Sequence, residues 1–417
     1  MVHGEAWTLK EFFVYPNEYI YWSIQIVMYP FMTGLVAGAF VLSSLYHVFG
    51  VKQLKDIARF SLVFSLALLP VAMMPLMLHL QQPQRGIYVM MTPHFTSAIA
   101  AFGIVFTTYG LIVASEIWFV YRQFIVETVL ELRAKQQRTT VESLQLLLYS
   151  VLSLGAMDLS PEALHKDERA VGILAGIGIP VACFLHGYAG FIFGSVKANA
   201  LWMTPLMPVI FICSAVVSGI ALCIVTYIIT MEIRKLIFAR KRRNNPRLPS
   251  TEELKSAEIL TVTMTAKYLV MFLVLAITLE LLDLIFRTYT AVKSWDILRS
   301  VIYERDFFKI FVLQYGLGNL VPFIIFLRPG LTIRRALLGT LLVLMGVFMM
   351  RWNVVIGGQA FSASFSGFME YHLPIWPSTL ELYKEGLFGA LTVITTPFVL
   401  FYLVTRVLPV FGVKDSH

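Results

Sequence analysis

Side chains able to give up a proton or hold an oxygen stand inside stretches otherwise built of Leu, Ile, Val, Phe and Met. They are the imidazoles of His79 and His186, the guanidiniums of Arg85 and Arg351, the carboxyls of Glu116, Glu280 and Asp283, and the ammonium of Lys267. Each charge costs ~2.5–3.5 kcal/mol at the centre of a bilayer on insertion scales, and such residues often mark proton or ligand routes. The densest group, His79-Leu-Gln-Gln-Pro-Gln-Arg85, sits at the mouth of an apolar run that reaches back to Ile57. The chemistry this set could do is proton transfer to the oxygens of a bound ligand. A quinone headgroup asks for this mixture: flat apolar walls, a cleft for its tail and a few donors for two carbonyl oxygens. Its reduction takes two electrons and two protons, so a histidine or carboxyl within hydrogen-bond reach is required.

These groups need a scaffold, and the composition says which. Hydrophobic residues make up 58% of the 417 and charged residues only 14%, too little polar surface for a soluble chain, so lipid is the solvent. The net charge of +8 comes from basic residues in the connections between apolar runs, a topology signal that sets nucleic acid aside. Cys183, Cys213 and Cys223 all lie in apolar runs without a C-x-x-C pair, so neither a disulfide framework nor a zinc or iron–sulfur site is expected. The N-terminus has no signal-peptide pattern.

Runs long enough to cross a ~30 Å core fall at about 19–49, 57–80, 95–121, 170–194, 205–233, 258–286, 307–327, 332–358 and 385–411. The expectation is therefore an all-α polytopic bundle, an integral membrane protein of about nine transmembrane helices, or ten. Lys and Arg concentrate after the first, third, fifth and seventh runs and in the tail, which places the N-terminus outside and the C-terminus inside. Residues 1–18 then form an outer segment, 19–411 the bundle and 412–417 a cytoplasmic tail. Residues 122–168 read as a cytoplasmic segment holding an amphipathic surface helix, and 234–257 as a basic cytoplasmic loop. Pro30, Pro70, Pro180, Pro322 and Pro397 predict kinks.

Counting roughly 1.5 Å per residue along each run puts His79, Arg85, His186, Glu280, Asp283, Arg351, Asn353 and Gln359 in one outer layer. Glu116, Tyr109 and Lys267 lie deeper, so the two sets describe a wet outer pocket fed by a polar track from inside. Structural readings stand beside this one: His186 as a core histidine, Glu116 and His94 as interfacial residues, Lys267 in a structural pair, and the tryptophans and Tyr88 as an interface belt. A haem b anchor ligated by His79 and His186 is a second enzymatic reading, although the paired within-helix histidines of two-haem cytochromes b are missing. A transporter would show an inverted repeat, and none is visible.

The motifs resemble one family. His79-Leu80-x-x-Pro83-x-Arg85 is similar to the His-Leu-Gly-Arg-Pro-x-Arg of the NrfD/PsrC family of membrane quinone-binding subunits, and Gly34-Leu-Val-Ala-Gly-Ala-Phe40 resembles its small-residue first helix. Ile179-Pro180 before His186-Gly187, Trp202-x-Thr-Pro-Leu-x-Pro208, Ser218-Gly219, Arg351-x-Asn353 and Gly357-Gly358-Gln359 match as well. Pro377-Ser378 and Arg406-Val-Leu-Pro409 are similar to the longer branch with the hydrogenase-associated, alternative complex III and Qrc membrane subunits, Qrc nearest. Gln81-Gln82 departs from the usual Gly-Arg, leaving Arg85 as the firm charge of that loop. The resemblance implies a menaquinone site at the outer face of a bacterial cytoplasmic membrane and no metal or haem in the chain. It also implies a periplasmic 4Fe-4S ferredoxin-like subunit docked on that face, with multihaem cytochrome c and molybdopterin-family subunits beyond it. In that reading His79, Arg85, Tyr88, Arg351, Asn353 and Gln359 hold the quinone, and Glu116, Tyr109, His186, Lys267, Glu280 and Asp283 carry protons.

Overall fold

A computed structural model describes residues 19–196, 199, 201–242, 249–289, 295–361 and 368–411; the expected outer segment 1–18 and tail 412–417 lie outside the described residues. Every apolar run of the sequence is helical. Apart from single turns, the helices are α1 Ile24–His47, α2 Lys55–Leu68, α3 Met74–His79, α4 Ala98–Ala134, α5 Thr140–Leu152, α6 Pro161–Gly194 and α7 Met207–Lys241. The rest are α8 Thr251–Tyr289, α9 Phe308–Leu327, α10 Ile333–Val355, α11 Leu380–Glu385 and α12 Leu387–Val407. Among the described residues, 8 helices are long and apolar enough to cross a membrane. In lipid each backbone group must find its partner within the segment, and helices do that without help. The second run is the exception, because the chain turns at Pro70 between α2 and α3.

The bundle is built around two helices. In α1 and α7, 94% and 89% of the most apolar window is buried inside the protein, against 22% in α8 and α9, so the latter present most of their surface outward. α1 packs on α7, α2 and α6; α7 also carries α8 and α10; α4 lies on α6, and α12 on α2. The central crossing depends on absent side chains. A Cβ at Gly38 would collide with the backbone of Ala215, and one at Gly219 with the backbone of Gly38. The first-helix motif and Ser218-Gly219 therefore meet each other, the close approach that small residues permit in membranes.

Pro30, Pro180 and Pro397 lie inside continuous helices. Pro322 instead follows a change of winding, for Phe308–Leu320 is a π-helix whose next residue, Val321, still bonds back to Gly316 O. Such winding is rare and frequent at functional sites. α5 doubles back along the end of α4, fixed by Trp118 Nε1 to Leu152 O at 2.8 Å and Lys135 Nζ to Glu142 Oε1 at 2.5 Å. Its Val141, Leu144, Leu147 and Val151 are exposed, an apolar face at helical spacing.

Candidate functional site: polar clusters and an apolar cavity

His79 is the last residue of α3, and the turn at Pro70 delivers it to the start of α1 and the end of α11. Its Nδ1 lies 2.8 Å from Glu385 Oε2 and 3.2 Å from Ser23 Oγ, the side chain that caps α1. The imidazole is 25% and the carboxylate 29% exposed, so both remain reachable. Beside them Gln25 is fully buried: its Nε2 donates to Lys384 O at 2.5 Å, and its Oε1 has no partner. Tyr371 completes the group, its hydroxyl near the Ile24 N–H. Burial pushes that phenol up to about 12, and Glu385 pushes the same way, so it is a neutral donor at physiological pH.

Ile24 and Leu387 help to line a cavity of about 480 Å³. All its walls are apolar, with Met28 and Phe31 from α1, Phe348 and Trp352 from α10, and Leu387 and Phe398 from α12. Two of its lining residues, Ile24 and Leu387, stand next to the His79 group in the chain, one residue after Ser23 and two after Glu385.

A second cluster is sealed in the core. Arg351, fully buried, donates from Nη2 to Ser214 Oγ at 2.7 Å and to Phe211 O at 3.3 Å, and lies 2.9 Å from His186 Nε2. The guanidinium stands 3.7 Å over the Phe211 ring, and Thr33 Oγ1 lies 3.3 Å from His186 Nδ1, so both imidazole nitrogens are engaged. Gly34 makes room, since a Cβ there would come 3.1 Å from His186 Cε1.

The third cluster lies around α8 and the π-helix. Thr204 Oγ1 donates to Asp283 Oδ1 at 2.5 Å, and Arg287 Nε to Asp283 Oδ2 at 2.8 Å. Gln314 bridges, donating to Glu280 Oε2 at 2.9 Å and accepting from Asn353 Nδ2 at 2.8 Å. Glu280, Asp283, Arg287, Gln314 and Asn353 line a small cavity of about 110 Å³. Deeper in the bundle, Glu116 is fully buried with neither carboxyl oxygen hydrogen-bonded, while Tyr109 OH reaches Val36 O at 3.4 Å.

The structure thus corrects the expected single pocket. His79, His186 and Asp283 belong to three separate sets of hydrogen bonds, because each helix's rotation aims its polar residue at a different neighbour. Arg351, expected at the ligand, is spent on His186; Asn353 joins Gln314; and Gln359 Nε2 folds back to Val355 O at 2.9 Å. Arg85 and Tyr88 stand exposed on the loop beyond His79. Lys267 is exposed on the flank of α8, so it is not part of the internal track. Glu385, Ser23, Gln25, Thr204 and Gln314 were not among the expected residues. The available signal was a carboxylate opening the last apolar run and an amide inside the seventh.

The model of the family described as polysulphide reductase, NrfD, matches residues 15–363. The chain belongs to this family. It is 26% identical over 350 residues to a subunit of the selenate reductase of Mesobacillus selenatarsenatis, covering 82% of this chain and 74% of that protein. It is also 28% identical over 209 residues to a putative dimethyl sulfoxide reductase membrane subunit of Halobacterium salinarum, covering 50% of this chain and 43% of that one. The NrfD motifs fall where the helices touch: Trp202 Nε1 bonds Val354 O, and Asn199 Nδ2 bonds Gly358 O at 2.6 Å. The chain is a multi-pass membrane protein of a family that serves oxidoreductase complexes.

Proposed function

We propose that the chain is the menaquinone-binding membrane subunit of a respiratory oxidoreductase complex, with the quinone headgroup at His79 and Glu385. The observation that carries this is the 480 Å³ apolar cavity, within the roughly 300–1,000 Å³ range of small-molecule sites, whose lining residues Ile24 and Leu387 follow closely in the chain on Ser23 and Glu385, the two partners of His79. The residues fit the group: Gln25 keeps an orphaned buried oxygen, Tyr371 offers a neutral hydroxyl, and the slot walls suit a ring and an isoprenoid tail. When bound, menaquinone supplies the acceptor of two electrons and two protons. Glu385 holds the imidazole by Nδ1, which leaves Nε2 to deliver a proton to a ligand oxygen, and the carboxylate then restores the charge balance.

By charge bias this end of the bundle faces the periplasm. Exposed apolar side chains there, among them Phe95 at 85%, Met91 at 67% and Tyr88 at 56%, suit a docked partner. In this reading the partner is the 4Fe-4S ferredoxin-like subunit, fed by multihaem cytochrome c and molybdopterin-family subunits as in the Qrc branch. Protons come from the opposite face by way of Glu116 and Tyr109, then His186 with Arg351 and Glu280 with Asp283. Turnover would then move charge across a potential worth ~2.3 kcal/mol per charge per 100 mV.

The test is quinol formation by the assembled complex carrying His79→Ala or Glu385→Gln. General acid–base groups contribute ~10²–10⁴-fold, and a loss of that size with normal assembly is expected. Wild-type turnover in both variants would overturn the assignment.

A further inference from the structure

Beside the π-helix, two side-chain amides hydrogen-bond in series. Asn353 Nδ2 donates to Gln314 Oε1 at 2.8 Å, and Gln314 Nε2 donates to Glu280 Oε2 at 2.9 Å. Tyr315 hydrogen-bonds the same Glu280 carboxyl. These bonds fix the orientation of both amides, which leaves Asn353 Oδ1 buried and without a hydrogen-bond partner among the described residues. An acceptor left dry in an interior is costly, so the cavity it lines must hold a donor for it.

That cavity measures about 110 Å³, and Glu280, Asp283 and Gln314 line it together with Asn353. It is well below the ~300 Å³ of small-molecule sites, whereas one water takes ~30 Å³ of the liquid. The occupant that fits is a few waters, able to donate to Asn353 Oδ1 and to carboxyl oxygens at once. Glu280 and Asp283 stand three residues apart on α8, so they share a face with Cβ atoms ~5–6 Å apart, a gap that water bridges. The Asp283 oxygens accept from Thr204 and Arg287, and each keeps a second lone pair.

The winding of α9 decides which side chain reaches this place. Phe308–Leu320 bonds i to i+5, which turns each residue through a smaller angle than α winding does, so the π stretch selects Gln314 to face both α8 and α10. Four residues on, a Cβ at Gly318 would collide with Gly346 Cα. That close contact holds α9 against α10 and keeps Gln314 within reach of Asn353.

Resting on the reading of Glu280 and Asp283 as proton carriers, we infer that this cavity holds water hydrogen-bonded between Glu280, Asp283 and Asn353 Oδ1, and that Gln314 is the positioning residue that aims the Glu280 carboxyl at it. One carboxyl gives its proton to the water as the water gives another to the opposite carboxylate. A proton is passed with no change in total charge.

The experiment uses the assembled complex in proteoliposomes and reads charge moved per quinol formed, a ratio independent of turnover rate. Gln314→Leu removes both amide bonds and should lower the ratio. Gln314→Glu, whose protonated form keeps a donor and an acceptor, should restore part of it. An unchanged ratio in Gln314→Leu, or equal losses in both variants, overturns the inference, as does a potential that follows sodium instead of pH, which would give the cavity to a cation. The water is read directly from infrared difference spectra of the complex exchanged between ordinary and heavy-oxygen water. An isotope-sensitive band in the wild type should be lost in Asn353→Leu and retained in Asn353→Asp, which keeps the acceptor; no band, or one unchanged in Asn353→Leu, also overturns the inference. That comparison needs no turnover, so it decides even if Gln314→Leu does not assemble. A wild-type complex that forms no quinol would instead sink the proposed function.

Discussion

At the residue scale the protein handles its buried charges in contrasting ways. Arg351 has its Nη2 engaged by Ser214, Phe211 O and His186 while its Nε stays without a partner, and among the described residues neither carboxyl oxygen of Glu116 is hydrogen-bonded. The first arrangement is structural as well as chemical, since removing the guanidinium strips partners from buried groups. Arg351→Gln should therefore lower stability by about 1–3 kcal/mol, read as a lower unfolding temperature in detergent. Asp283→Asn is gentler, because the amide keeps the shape and an oxygen for Thr204. In proteoliposomes that variant should still form quinol at His79 but build a smaller membrane potential. Loss of both activities together would move the ligand from the His79 cavity to Asp283. Glu280, Asp283 and His186 were legible as candidates because ionisable groups are conspicuous in an apolar run. Glu385 was not, because a carboxylate at the edge of a run looks interfacial until His79 is seen 2.8 Å away.

At the element scale the positions are set by what the helices lack. Gly219→Leu should prevent accumulation of folded protein, since its Cβ would enter the Gly38 backbone. Gly172→Ala, whose Cβ would meet nothing within 4 Å, should be tolerated or slightly stabilising in the same unfolding assay. The π-wound part of α9 packs on α10 and brings Gln314 to both Glu280 and Asn353. The start of α5 carries a capping box, with Thr139 and Glu142 bonded reciprocally. Lys135, then the Thr139 backbone and hydroxyl, hold the Glu142 carboxyl down at about 2. A depressed carboxyl stabilises the fold above its ordinary range and stops doing so as pH falls toward about 2. Amide exchange at the head of α5 should therefore stay slow at about pH 4 and rise only in stronger acid, and Glu142→Gln should remove that dependence.

At the scale of the whole molecule two cavities lie toward opposite ends of α1, the apolar one from Ile24 to Leu35 and the other at Tyr46 and His47. This separation makes sidedness testable. Gln84→Cys and Lys255→Cys, both at exposed positions, should react with a membrane-impermeant maleimide from opposite faces of sealed vesicles. Labelling of both from one face would defeat the vectorial reading. The amino-acid sequence alone determined the solvent, the helical spans, the family motifs and the short set of residues able to do proton chemistry. Those properties are local: hydropathy over about twenty residues and the cost of a charge in lipid are written in each segment. Only the tertiary structure decided which polar groups meet. Gln25 bonds a carbonyl 359 residues away and His79 a carboxylate 306 residues away, and neither the rotation of a helix about its axis nor the fold of a connection can be read from depth. Depth suggested one pocket; rotation divided it into three clusters.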